Sequence, residues 1–106
     1  MLRKRVNFIQ DIFSTLNIYK CFIVCHTDIF YNLYKQLIKN DYPISTLMEL
    51  NKFNQHHNRI LFLDNIDARY MSTIASQINF EGINLVIYIN VKKKIYGLEN
   101  LHSIFL

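Results

Sequence analysis

Glycine and proline are scarce in this chain of 106 residues, which contains two glycines, one proline and no tryptophan. A Walker-type phosphate loop and a dinucleotide-binding fingerprint both need several closely spaced glycines, because their backbone amides must approach the phosphates. A nucleophile elbow of the Gly-x-Ser-x-Gly type needs glycines as well. The composition therefore excludes these three kinds of site.

Cysteines and long apolar segments are also few. Cys21 and Cys25 fall on one predicted strand about 13 Å apart, which is too far for a disulfide. Buried thiols are typical of a reducing compartment, so we expect the protein in the cytosol or the nucleus. No apolar stretch reaches the 18 to 20 residues, roughly, that a bilayer span requires. Asn7, Gln10 and Asp11 interrupt the apolar stretch that a signal peptide would need, so no membrane role is expected.

Positive charge is present in modest excess, with a formal net charge of +4. It is concentrated in two triplets, Arg3-Lys4-Arg5 and Lys92-Lys93-Lys94. Such a triplet is either a solvated end of an element or a contact for phosphate groups. The abundance of Asn, Ile, Lys and Tyr indicates an AT-rich gene and is compatible with a viral source.

Near-continuous apolar runs predict strands at 20–25, 59–64 and 83–89. Runs of this kind are typical of parallel strands that helices cover on both faces. Pro43 favours an edge position for a further strand over 43–48, because proline cannot donate to a sheet ladder. We therefore predict one domain over residues 1–106, a three-layer α/β/α sandwich with a four-stranded, mainly parallel sheet.

Apolar residues at three- and four-residue spacing predict the helices. One spans 3–17, and a second spans 28–40 with Thr27 or Asp28 as its N-cap. A short helix or loop is expected over 49–58, and another helix begins at Asp67. The spacing of Leu98, Leu101, Ile104 and Phe105 predicts a final short helix.

This order of elements resembles the second RecA-like lobe of superfamily 2 helicases, the DEAD-box and SNF2-like groups included. The segments that carry the resemblance are Leu16–Thr27, Asp41–Thr46, Lys52–Asn54, Arg59–Asp64 with Arg69, and Ile83–Asn90. The resemblance implies that Thr27 and Arg69 contact a nucleic-acid backbone while Asp64 positions the loop between them. With the lysine triplet added, the predicted nucleic-acid-binding residues are Thr27, Asp64, Arg69, Lys92, Lys93 and Lys94.

Several departures from the helicase pattern predict that the protein is not an enzyme and uses no cofactor. The spacing from Asp64 to Arg69 is one residue longer than in the family, and Tyr70 stands where a glycine is expected. No arginine follows Arg69, and lysine does not reproduce the fork of an arginine finger. The first lobe, with its phosphate loop, is absent. We expect a degenerate accessory protein that associates with single-stranded nucleic acid or with a nucleic-acid-processing partner.

Alternatives remain open for the same residues. Thr27, Asp64 and Asp67 are common helix-capping residues, and Asp64 also occupies the position of a receiver-like phosphoacceptor. The whole domain is alternatively a protein–protein interaction module without a nucleic-acid role. No spacing of the histidines or cysteines matches a metal site, so none is predicted. The seven tyrosines can stack on bases, although packing in or around the core accounts for most of them.

Overall fold

The computed structural model describes the backbone of residues 2–16 and 18–106, and the side chains of these residues except 2–6 and 13. Its strands are β1 (Lys20–Cys25), β2 (Ile44–Ser45), β3 (Ile60–Asp64), β4 (Ile83–Ile89) and β5 (His102–Phe105). Its helices are α1 (Leu2–Leu16), α2 (Thr27–Lys39), α3 (Leu50–Asn54), α4 (Asn65–Ala68) and α5 (Met71–Ile74). Single 3₁₀ turns lie at Leu47–Glu49 and Ala75–Gln77.

The sheet has five strands in the order β2-β3-β1-β4-β5, and every pairing is parallel. The first crossover, from β1 to β2, moves across the sheet in one direction, and the three later crossovers move in the other. Right-handed crossovers that run in opposite directions place their helices on opposite faces. The α/β class and the parallel sheet are confirmed, whereas the predicted number of four strands is wrong.

Alternate residues of the central strand β1 pack against different helices. Cys21, Ile23 and Cys25 lie in one buried cluster with residues of α1 and α2. Phe22 and Val24 lie in a second cluster with residues of α3, α4 and α5. Because side chains alternate along a strand, helices cover both faces of the sheet. This explains why successive residues in the middle of the central strands are apolar.

The fifth strand is the largest correction to the sequence-based fold. Leu98 is buried in the turn before it, and His102–Phe105 pairs with β4 where a helix was predicted. Ile104 packs on the α1–α2 side, while Phe105 stacks on Tyr88 with ring centroids 4.7 Å apart. Consecutive apolar residues suit a strand with apolar surroundings on both faces. Over so few residues, spacing alone does not separate a helix from a strand.

The other predicted elements differ from the structure mainly at their ends. The strands over 20–25 and 83–89 are confirmed, and β2 forms the sheet edge as Pro43 indicated, although it has only two residues. The helix predicted from Asp67 is broken into α4, α5 and a 3₁₀ turn, and α4 begins at Asn65. The side chains of Arg3, Lys4 and Arg5 lie outside the described residues.

Lys20 is a fully buried cation at the amino end of β1. Its Nζ donates a hydrogen bond of 2.8 Å to the carbonyl oxygen of Phe53 and lies 3.9 Å from the centre of the Phe53 ring. Burial lowers the pKa of the Lys20 ammonium, and the carboxylate of Glu81 partly opposes that shift. Lys20 therefore joins β1 to α3.

Within the described residues, no helix is both long enough and apolar enough to cross a membrane.

Candidate functional site

The carboxyl end of β1 lies at the point where the sheet topology switches direction. The connection after β1 leads to α2 on one face, whereas the connections after β3 and β4, its two neighbours, lead to the other face. Ligands of open parallel sheets bind in the crevices that such divergence leaves at the strand ends. The first residues after these three strands are His26, Asn65 and Asn90.

The side of β1 that faces β3 is closed by hydrogen bonds. The backbone N–H and the hydroxyl of Thr27 lie 3.0 and 2.8 Å from Oδ1 of Asn65, and both donate to it. Oδ1 of Asp64 accepts a 2.8 Å hydrogen bond from the backbone N–H of Asp67 and caps α4. The predicted site residues Thr27 and Asp64 therefore make hydrogen bonds within the protein, as the capping alternative expects for Asp64.

The helix that follows β1 is capped by a residue that the sequence did not suggest. His26 is the N-cap of α2, and its Nδ1 accepts a 3.1 Å hydrogen bond from the backbone N–H of Asp28. The expectation that Thr27 or Asp28 caps this helix is wrong. An imidazole nitrogen that accepts a hydrogen bond performs the role usually filled by a hydroxyl or carboxylate.

The segments that follow β1, β3 and β4 surround a crevice of about 470 Å³ at this edge of the sheet. We call it the basic crevice. Its polar and charged lining residues are His26, Asn65, Arg69, Asn90, Lys92, Lys93 and Lys94. Four of the six predicted site residues thus lie around one cavity, although Arg69 is more than 20 positions from the lysines in the chain.

The electrostatic character of the basic crevice is strongly positive. Arg69 and the three lysines are exposed. Across the described part of the chain, Lys52 forms a salt bridge with Glu49 and Nδ1 of His26 lies 3.5 Å from Oδ2 of Asp28, so no such contact uses these four cations. Four unpaired like charges repel one another, and a bound anion relieves that repulsion.

An adjoining pocket of about 620 Å³ shares His26, Asn90 and Lys92 with the basic crevice. Asp28 and Phe105 also line this second pocket. The carboxylate of Asp28 is exposed there and repels anions, so an anion is expected in the basic crevice itself.

The chain directly after the lysine segment is held in place by three contacts. The backbone N–H of Ile95 donates a 3.0 Å hydrogen bond to the buried hydroxyl of Tyr88, and burial raises the pKa of Tyr88. Gly97 has φ +95°, and a Cβ on it would lie 3.3 Å from Cγ of Met71. Leu98 is fully buried. The lysines are therefore presented on an anchored loop.

Comparisons with known proteins add no family to this description. No protein-family model, curated protein or solved structure matches this chain.

Among the described residues, no group of three or more His, Cys, Asp or Glu side chains converges in a way that could hold a metal ion. Around Asp64, the residues that follow the other two central strands are His26 and Asn90. A receiver-like site needs acidic residues at such positions to hold Mg²⁺. Neither His26 nor Asn90 is acidic, so these two positions do not supply such ligands.

Sequence reasoning missed three residues of the basic crevice, namely His26, Asn65 and Asn90. A usable signal existed, because each directly follows a predicted apolar strand, and the ends of parallel strands share one edge of the sheet. Asn90 also has φ +55°, a left-handed conformation that asparagine tolerates better than most residues. This turn directs the chain from β4 into the lysine segment.

Asp67 provides a stability prediction beside the crevice. Burial and the nearby charge of Asp64 raise the pKa of Asp67 above 3.8. The folded state then binds more protons than the unfolded state just above pH 3.8, so the free energy of unfolding falls as pH rises through that window. We expect D67N to raise the free energy of unfolding at pH 7 by on the order of 0.5 kcal/mol. Urea unfolding of D67N and wild type measures this gain.

The gain should disappear below about pH 3, where the carboxyl is protonated in wild type. D41N is the matched control, because Asp41 is exposed and its φ of +60° suits asparagine equally well. A D67N protein no more stable than wild type at pH 7 would contradict the prediction.

Proposed function

We propose that this protein is a non-enzymatic accessory protein that binds the phosphate backbone of nucleic acid in the basic crevice. One observation carries the proposal. Arg69, Lys92, Lys93 and Lys94 are exposed around one cavity at the carboxyl edge of a parallel sheet, and none of them is neutralised by a salt bridge with another described residue.

Phosphate is the anion that this set of side chains suits best. The guanidinium of Arg69 offers a planar fork that matches two phosphate oxygens, and each lysine adds a compact charge. Three consecutive lysines spread their charge along a line, which suits a chain of phosphates better than a single small anion. The amides of Asn65 and Asn90 add groups that can donate hydrogen bonds.

The resemblance to the second RecA-like lobe of superfamily 2 helicases belongs to this proposal. The parallel sheet with helices on both faces supports it, as does the position of Arg69 after β3. We further propose that the fold is a RecA-like three-layer sandwich. We also propose that the protein acts in the cytosol or nucleus and comes from a virus. Both cysteines are buried, which suits a reducing compartment.

A protein–protein interaction module is the competing proposal. Its support is the exposure of apolar side chains, most of all Met48, which is 94% exposed. Tyr31, Met48 and Ile66 belong to different elements, however, and apolar residues exposed singly are common on soluble proteins. The clustered charge is the more specific feature.

A salt titration separates the two proposals. We expect wild-type protein to bind a labelled single-stranded oligouridylate of about 12 nucleotides, measured by fluorescence anisotropy. Four phosphate contacts predict a slope of about −2.8 for log K against log salt, from about 0.7 per contact on a single strand. No binding at about 20 mM salt, where electrostatic attraction is strongest, would refute the nucleic-acid proposal.

A further inference from the structure

We propose that the basic crevice takes single-stranded nucleic acid and that Tyr70 and Tyr96 stack on its unpaired bases. The inference rests on the proposed function, since the cations must first bind the backbone. It adds the recognition of bases to the binding of phosphates.

Both tyrosines are next in sequence to residues that line the basic crevice, and both are highly exposed. Tyr96 is 79% exposed and Tyr70 is 62% exposed. Tyr70 directly follows Arg69 in the chain, and Tyr96 directly follows Ile95, and both Arg69 and Ile95 line the crevice. Exposing two large aromatic rings to water is unfavourable, so a ligand that covers them gains apolar burial.

A contact between two distant segments brings together the parts of the backbone that carry these tyrosines. Gly97 packs so closely on Met71 that a Cβ would lie 3.3 Å from the Met71 side chain. Tyr96 and Tyr70 are the residues immediately before this contacting pair. The hydroxyl of Tyr88 anchors Ile95, so the loop that carries Tyr96 is held before any ligand binds. A loop backbone that is already anchored loses little conformational entropy on binding.

The other highly exposed tyrosines already have partners within the protein. The Tyr31 ring lies 4.5 Å from Nζ of Lys35, and the Tyr19 ring lies 5.9 Å from the His56 ring. Among the residues that the structure describes, neither Tyr70 nor Tyr96 takes part in a ring or cation–π pair. Their faces are therefore available to a ligand.

Exposed aromatic rings beside a row of cations suit a single strand better than a duplex. Every base has a π-face that can stack on an aromatic ring, provided that the base is not already stacked inside a helix. The lysine row binds successive phosphates, while the tyrosines interact with bases that point away from the backbone. Affinity should then depend on the presence of bases and little on their sequence.

The test compares two strands that differ only in their bases. One is an oligothymidylate of about 12 nucleotides, and the other is an abasic deoxyribose-phosphate strand of the same length, which keeps the phosphates. Wild type should bind the oligothymidylate at least about 30-fold more tightly than the abasic strand, because two bases stack. In the Y70A/Y96A variant this preference should disappear while the affinity for the abasic strand stays unchanged.

Two further variants control for structure. Y70F/Y96F keeps the aromatic rings and should keep the preference, whereas Y31A removes an exposed tyrosine elsewhere and should leave both affinities unchanged.

Since the chain has no tryptophan, tyrosine emission can be followed directly, and its quenching by oligothymidylate should be smaller in Y70A/Y96A. Binding of a blunt duplex of the same length should be weaker than binding of oligothymidylate at about 150 mM salt.

The possible results distinguish base stacking by the tyrosines from phosphate binding by the cations. Equal affinity of wild type for the two single strands, with a salt-dependent slope, refutes base stacking but leaves phosphate binding intact. Tighter binding of the duplex also refutes the single-strand inference. If neither strand binds at low salt, the proposed function and the inference both fail.

Discussion

Replacing the four cations of the basic crevice should nearly abolish nucleic-acid binding. In the R69Q/K92Q/K93Q/K94Q variant we expect the affinity for single-stranded oligouridylate to fall by roughly 10³-fold at about 50 mM salt. Each phosphate contact contributes through the release of counterions, so the slope of log K against log salt should shrink by about 2.8 as well. Anisotropy titrations over a salt series measure both quantities.

A charge-matched variant tests whether nucleic-acid affinity depends on where the positive charges lie. K35Q/K39Q/K52Q/R59Q also removes four positive charges, but these exposed residues lie outside the basic crevice. It should weaken binding less than about tenfold, because charges beyond about a Debye length are largely screened. Similar losses in the two variants would show that only net charge matters, and the crevice would lose its assigned role.

Truncation of Lys20 should strongly destabilise the fold. K20A removes the donor to the carbonyl of Phe53, the cation over its ring and a fully buried side chain. We expect the free energy of unfolding to fall by about 3 kcal/mol, because a cavity and an unpaired carbonyl are created together. Urea unfolding followed by circular dichroism measures the loss.

K20M is the matched comparison, because methionine keeps an unbranched apolar chain but carries no charge. It should lower the free energy of unfolding by less than about 1 kcal/mol at pH 7, since removal of a buried charge offsets the lost hydrogen bond.

The pKa of Lys20 is lowered from 10.5, so the unfolded state binds more protons in the window below that value. The stability of wild type relative to K20M should therefore rise as pH increases towards 10.5.

A K20A protein as stable as wild type would show that the Lys20–Phe53 contact does not hold α3 to the sheet. A difference between wild type and K20M that does not change with pH would show that burial leaves the protonation of Lys20 unaltered.

Local sequence patterns were sufficient for the central strands and for the longest helices. Apolar residues such as Phe22, Ile23 and Val24 leave no face for water, so a strand covered on both sides is the arrangement that buries them. The pattern failed at the chain end, where Ile104 and Phe105 fit a helical spacing but pair with β4. Edge strands are short, so their periodicity carries little information.

The candidate site was only partly predictable for a related reason. Arg69 and the lysine triplet could be selected because they are basic and follow predicted strands. Their convergence around one cavity depends on β3 and β4 lying on either side of β1, which a list of elements does not specify. The same topology joins Thr27 to Asn65, so the hydroxyl expected to contact nucleic acid is already bonded.

Composition and periodicity alone establish an α/β chain with a parallel sheet and no glycine-rich phosphate loop, because these features follow from residues that are near one another in sequence. The basic crevice, the burial of Lys20 and the contact between the segments that carry Tyr70 and Tyr96 depend on residues far apart in the chain. The crossover connections determine which strands lie side by side, and the packing of the whole core determines which connections form.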